Sequence, residues 1–356
     1  TALFQLQYLD KIPQHAIFNE SIEVAKTLGH IGTAKFVTAI LHNISRQGLP
    51  DINAIQNPIQ RLSVEASLPV WLIETLVEQN GEAKTRQIIG SINDAPAQAI
   101  RVNTVLSTDE AVEQALLDEH FTFVKSKVAD HAYVVTGGHV AGSKAYQDGL
   151  LTLQDESAML PVEALQITTQ VKTVLDAAAA PGGKTTQIAQ YIADDATITA
   201  LDIHAHKIRL IEANAKRLHV SDKITAQVLD ARQTANQLTT KFDRILVDAP
   251  CSGFGLLRRK PEIRYDKTLE DVMSLASLQG EILDSVSQNV ADNGMIVYST
   301  CTILRQENDD VIARFLSKHT DFELVPTMTS KALKSNRQET VLHIYPNDYH
   351  TDGFFV

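Results

Sequence analysis

The strongest constraint on the fold is an alternation that begins near residue 172. Short apolar runs at 174–177, 197–203, 224–229, 244–247 and 295–299 have strand character. Between them lie amphipathic stretches, such as 207–218 and 269–290, whose apolar residues recur at helical spacing. Repetition of this kind predicts a parallel, doubly wound α/β sheet, because parallel neighbours are joined by crossovers whose helices cover both faces. Such a sheet gathers its ligands beyond the carboxyl ends of the strands, so the residues there are the candidates for chemistry.

The 356 residues exceed what one hydrophobic core usually supports, and the patterning divides the chain into three. Residues 1–60 repeat apolar positions at helical spacing: Leu3, Leu6 and Leu9; Ile22, Val24, Ala25 and Leu28; Phe36, Val37, Ile40, Leu41 and Ile44. They predict an all-helical domain that is already under way at Thr1, hence one incomplete at its amino terminus. Residues 61–148 begin with a helix over about 69–89 that carries the only tryptophan, Trp71. β-like pieces follow at 99–103, 121–124 and 132–135, with turn signals such as Gly137-Gly138, giving a small α+β module. Residues 149–356 hold the doubly wound sheet, closed by two apolar runs, 322–325 and 340–345, expected to pair as an antiparallel hairpin at its edge.

Composition excludes several classes. No apolar run is long enough to span a bilayer and no secretory leader opens the chain, so no membrane is expected. Two cysteines rule out a disulfide framework and suit the reducing cytoplasm. His204 and His206 lack the spacing of a zinc site, so no metal is expected. The net charge of -11 disfavours nucleic acid as a partner on bulk charge alone. However, residues 1–60 balance four basic against four acidic residues, and the later, acidic part contains one basic cluster, Arg258-Arg259-Lys260 with Arg264. That cluster is either a solvated loop or a grip for phosphate.

The first strand of the sheet runs into 176–185, Asp-Ala-Ala-Ala-Ala-Pro-Gly-Gly-Lys-Thr, where a doubly wound fold binds its cofactor. A dinucleotide loop needs G-x-G-x-x-G, which is absent. A phosphate-binding P-loop needs glycine where Ala178 stands. S-adenosylmethionine remains: a glycine turn offers backbone groups to its amino-acid end, and an acid at the next strand end accepts the ribose hydroxyls. Asp202 stands at that end, Asp230 closes the third strand and Asp248 the fourth.

Cys251 and Cys301 each follow a strand, in Asp248-Ala249-Pro250-Cys251 and Ser299-Thr300-Cys301. A free cysteine is commonly a small buried hydrophobe. Placed beyond neighbouring strand ends, two of them suit a reaction at an aromatic carbon. Carbon 5 of a pyrimidine becomes nucleophilic once a thiolate adds to carbon 6, and a second group then assists elimination. Asp248 could hold the N3 edge and exocyclic amine of a cytosine. An ordinary thiol ionises at about 8.5, so the attacking one needs help from its site.

The loop Ala179-Ala180-Pro181-Gly182-Gly183-Lys184-Thr185 resembles a motif of RNA cytosine-5 methyltransferases. So do Asp248-Ala249-Pro250-Cys251-Ser252-Gly253 with Arg258-Arg259, and Tyr298-Ser299-Thr300-Cys301-Thr302 with Glu307-Asn308. Residues 2–12 and 36–46 are similar to the NusB-like domain of the Sun/Fmu/RsmB branch, whose members modify small-subunit (16S) ribosomal RNA. The resemblance implies a Rossmann-like class I methyltransferase domain behind a NusB-like domain and an α+β linker. It implies S-adenosylmethionine as cofactor, ribosomal RNA as partner and a cytoplasmic monomer. It makes Cys301 the nucleophile and Cys251 the thiol that helps release product. Ala178, Ala179, Ala180, Pro181, Gly182, Gly183 and Lys184, with Asp202, Asp230 and Asp248, would contact cofactor or target base, and Arg258, Arg259, Lys260 and Arg264 the RNA. The sequence departs from the family at Ala178, usually cysteine, and at Tyr265, often tryptophan. The rival expectation is an RNA-binding assembly factor whose methyltransferase fold is inactive.

Overall fold

The computed structural model describes residues 1–334 and 340–356. They form two compact units, Thr1–Glu65 and Ala66–Val356. In the first, helices Ala2–Tyr8, Gln14–Leu28 and Ile31–Gln47 bury Ile17, Phe18 and Leu41 against Leu6, Ile22 and Val37. The His30 ring accepts the Gly32 N–H to start the third helix, and Gly48, with φ 80°, ends it. Not every helical-spaced residue is inside: Leu28 and Phe36 are 84% and 66% exposed.

The second unit opens with the helix Val70–Ser91, interrupted at Gly81, where φ is 75°. An antiparallel sheet follows, built from β1 (Gln98–Val102), β2 (Thr122–Lys125), β3 (Ala132–Thr136) and β4 (Leu151–Leu153) in the order β2-β3-β1-β4. Its core is Ile100, Val102, Val112, Leu116, Tyr133 and Val135. β4 pairs with β1 although it lies past residue 148, where the sequence suggested a domain boundary. Three residues are too short a run to announce a strand.

The larger sheet contains β5 (Thr173–Asp176), β6 (Thr197–Asp202), β7 (Ile224–Val228), β8 (Phe242–Asp248) and β9 (Val290–Ser299). All neighbours are parallel and the order is β7-β6-β5-β8-β9, as the alternation predicts. Helices on both faces explain why Ile245, Leu246 and Val247, three consecutive residues of β8, are all fully buried. The helix before β9 starts in a capping box between Thr268 and Asp271 and ends at Val286, so the strand begins earlier than the apolar run at 295 suggested.

The terminal hairpin differs from expectation in one partner. β10 (His343–Ile344) pairs antiparallel with β11 (Phe354–Phe355), whereas 322–325 forms no strand. Burial decides between the two: Leu324 and Val325 are 47% and 43% exposed, while Phe354, Phe355 and Val356 are buried. Phe355 also bridges to Thr300, tying this hairpin to the end of β9.

Candidate active site

The strand order reverses direction between β5 and β8, and the candidate residues collect beyond that switch point. Asp248 and Ser299 are paired in register at the ends of β8 and β9, so the two chains leave the sheet side by side. Cys251 and Cys301 consequently meet, with their sulfurs 3.1 Å apart and unbonded. The contact with Cys301, reinforced by burial, pushes the Cys251 thiol well above its ordinary pKa and keeps it protonated. Lys184 reaches across from the glycine loop to Asp248 at 2.7 Å, and the Ser299 hydroxyl donates to the other Asp248 oxygen at 2.9 Å. Burial opposes the charge on Lys184, but Asp248 outweighs it and holds the ammonium above its usual range.

The glycine loop is fixed from below. Gly182, with φ 101°, caps the helix Gly183–Tyr191, and a Cβ there would meet the Ile211 Cα at 3.1 Å. Arg101, fully buried on β1, donates to the Gly183 carbonyl at 3.2 Å, the Thr186 hydroxyl at 3.1 Å and Gln154 at 2.8 Å. Asp176, at the end of β5, accepts from Thr185 at 2.7 Å through one oxygen, and its other oxygen is buried without a partner among the described residues. Burial raises its pKa to about 6. Neither Arg101 nor Asp176 is singled out by the sequence: Arg101 is a lone charge in an apolar strand, and Asp176 stands at the head of the glycine loop, where only the fold supplies its partner Thr185.

The strand-end aspartates play unequal parts. Asp202 accepts the His204 N–H at 2.9 Å to open the following helix and lies near Lys207. Asp230 is gripped by Arg232 at 2.6 Å, so its carboxylate is already engaged. Only Asp248 stands beside the thiol loops. The glycine loop, the acid at the end of β6 and the orphaned Asp176 oxygen fit S-adenosylmethionine, which carries an ammonium, a carboxylate and ribose hydroxyls.

The arginines of the basic cluster have partners inside the fold. Arg258 donates to the backbone carbonyls of Ser91 and His350, each at 2.8 Å. Arg259 binds Asp352 at 2.5 Å and Asp155 at 2.8 Å. Arg264, 8% exposed, donates to the carbonyls of Ala66 and Ile92 and to Asn93. These guanidinium groups satisfy helix-end carbonyls and carboxylates within the fold, while Arg259 and Lys260 keep exposed surface. A groove of about 750 Å³ runs along the outer edge of β9 past Met295 and Val325, and neither thiol lines it.

A parallel sheet with a cofactor loop after β5, thiols after β8 and β9 and an acid between them defines a class I methyltransferase. The profile of the 16S rRNA methyltransferase RsmB/F family matches residues 163–356, that of the NusB family residues 1–46, and that of the RsmF/B-like ferredoxin-like domain residues 68–140. The chain is 39% identical, over its whole length and 80% of the relative, to the probable ribosomal RNA small subunit methyltransferase B of Bacillus subtilis. It is 32% identical to ribosomal RNA small subunit methyltransferase B of Photorhabdus laumondii, over 99% of this chain and 79% of that protein. Among solved structures, PH0851 superposes with a TM-score of 0.85 at 26% identity, covering 99% of this chain and 79% of its own. A methyltransferase homolog protein from Pyrococcus horikoshii gives a TM-score of 0.72 at 25% identity, covering 84% and 97%. The chain belongs to the 16S rRNA methyltransferase RsmB/F family, and its methyl donor is S-adenosylmethionine. Among the described residues, no helix is long and apolar enough to cross a membrane.

Proposed function

We propose that this methyltransferase modifies carbon 5 of a cytosine in small-subunit ribosomal RNA through a covalent adduct between Cys301 and carbon 6. The observation that carries the reading is the pair of unbonded sulfurs, 3.1 Å apart, beside the Lys184–Asp248 ion pair. Lys184 lies close enough to Cys301 for their charges to interact, so a cation stands where the attacking thiolate forms. As the Cys301 sulfur bonds to carbon 6, the carbon 5–carbon 6 electron pair shifts to carbon 5, with the base unstacked into the site. Asp248, held by Lys184 and Ser299, contacts the N3 edge and amine of the cytosine. When bound, S-adenosylmethionine supplies the electrophilic methyl that carbon 5 accepts, its sulfonium leaving as a neutral thioether. Carbon 5 then loses its proton to solvent, the double bond re-forms and the carbon–sulfur bond breaks. Cys251, which keeps its own proton, donates a hydrogen bond to the departing Cys301 sulfur. The 178–184 loop would hold the amino-acid end of the cofactor, Asp202 its ribose, and the segment around Asp230 its adenine.

Two variants test the assignment with unmodified small-subunit RNA. Cys251→Ala accumulates a protein–RNA adduct that survives denaturing electrophoresis. Cys301→Ala loses adduct and product together, with turnover down at least about a thousandfold. Full activity in Cys301→Ala would reject the mechanism.

A further inference from the structure

Glu307 is fully buried, and among the described residues no cation pairs with it. A carboxylate in that position is costly unless its oxygens are satisfied. Its oxygens accept the Ser252 N–H at 2.8 Å, the Ser252 hydroxyl at 2.5 Å and the Gln279 amide at 3.1 Å. The same Ser252 hydroxyl meets the Thr302 hydroxyl at 2.9 Å. Ser252 and Thr302 are the residues that immediately follow the two cysteines. Gln279 also donates to the Pro250 carbonyl at 2.9 Å, just before Cys251, and the Tyr298 hydroxyl donates to the Glu307 carbonyl at 2.6 Å. Next in sequence, Asn308 donates to the Thr302 carbonyl at 3.1 Å and accepts from the Thr300 hydroxyl at 2.6 Å. Both thiol loops therefore share one buried anchor, while neither sulfur touches it.

We propose that Glu307 is a positioning residue that fixes the separation of the Cys251 and Cys301 sulfurs. Its importance for turnover rests on the two-thiol reaction proposed above, but the geometry can be tested without RNA. Burial raises the Glu307 pKa against the pull of the Ser252 bonds, which indicates that the site retains this acid at a cost. Without the anchor the two loops stay joined by the Ser252–Thr302 hydroxyl contact, the Gly255 N–H bond to the Cys301 carbonyl and the ends of their strands, and the thiols sample a wider range of separations. A displacement of about 1 Å is enough to cost on the order of a hundredfold in rate.

Diamide reports the spacing directly. It takes up the hydrogens of two adjacent thiols, becoming the substituted hydrazine while the sulfurs join as a disulfide. Wild-type protein without RNA should lose both free thiols quickly. Glu307→Ala should crosslink at least about tenfold more slowly and lose about a hundredfold in kcat, with S-adenosylmethionine affinity by calorimetry within about twofold of wild type. Glu307→Gln keeps an acceptor for the Ser252 N–H and should recover most of both rates. Should Glu307→Ala fail to fold, Ser252→Ala removes the hydroxyl bridge alone and should slow crosslinking several-fold. Wild-type protein that resists diamide, or a folded variant of either residue that crosslinks at the wild-type rate, overturns the positioning role. Failure of the cytosine mechanism registers separately, as the absence of an RNA adduct in Cys251→Ala.

Discussion

The two halves of the crevice are each organised by one fully buried charged side chain, yet they are built differently. Under the thiols, Glu307 comes from the turn just after β9 and binds loops that belong to the same sheet. Under the glycine loop, Arg101 comes from β1, in the separate antiparallel sheet, and binds Gly183 and Thr186. The thiol half is thus held from within the methyltransferase sheet. The glycine-loop half depends on the α+β module, which braces that loop through Arg101.

This contrast breaks most visibly at Arg101. Arg101→Met would strand the side-chain oxygens of Gln154 and Gln190, costing about 4 kcal/mol of stability from the loss of several charge-assisted bonds. S-adenosylmethionine affinity should fall at least about tenfold, while diamide crosslinking of the thiols stays at the wild-type rate. Slower crosslinking would show that the halves are not independently supported. Calorimetric binding and thermal melts on the same preparation decide the matter.

A second difference lies in how the buried acids are satisfied. Both oxygens of Glu307 are engaged, whereas Asp176 keeps one without a partner. With its folded pKa raised from 3.8 to about 6, the native protein binds this proton more tightly than the unfolded chain does. The stabilisation is therefore complete below the unfolded value and is lost as pH rises through about 6, a change of about 3 kcal/mol. Asp176→Asn should flatten the denaturation midpoint over that window. An unchanged pH profile would show that the acid is solvated in the folded protein.

The smallest effect is expected at Gly255. A Cβ there would lie 2.0 Å from the Gly353 carbonyl oxygen and 2.7 Å from that of Cys301. Gly255→Ala must push the hairpin away from the thiol loop, costing about 2 kcal/mol as overpacking. It should slow crosslinking and leave S-adenosylmethionine binding intact, the reverse of the Arg101 variant. Equal effects on both measurements would collapse the distinction between the halves.

What could be read in advance followed from local pattern. The apolar run Ile245-Leu246-Val247 marks a strand covered on both faces, and residues just past such a strand must emerge at its carboxyl end. That logic places Cys251 and Cys301 beyond neighbouring strand ends from the sequence alone. The pattern says much less about which partner satisfies a charge. Arg258, Arg259 and Arg264 read as one exposed patch, but their acceptors include Ser91, Asp155 and Ala66, far away in sequence and supplied only by the fold. Strand propensity alone also misjudged 322–325, because Leu324 and Val325 stay exposed while the buried Phe354 and Phe355 supply the partner of β10.

The bridge between Phe355 and Thr300, with the Gly255 N–H donating to the Cys301 carbonyl and the Gly353 N–H to that of Gly255, also orders events during synthesis. Chains emerge and fold from the amino-terminal side, so β5 to β9 can form and both cysteines can exit while nothing yet backs the second thiol loop. That loop gains its rear wall only when residues 353–355 arrive. A nascent chain therefore has a sheet before the second thiol loop has its full set of backbone bonds.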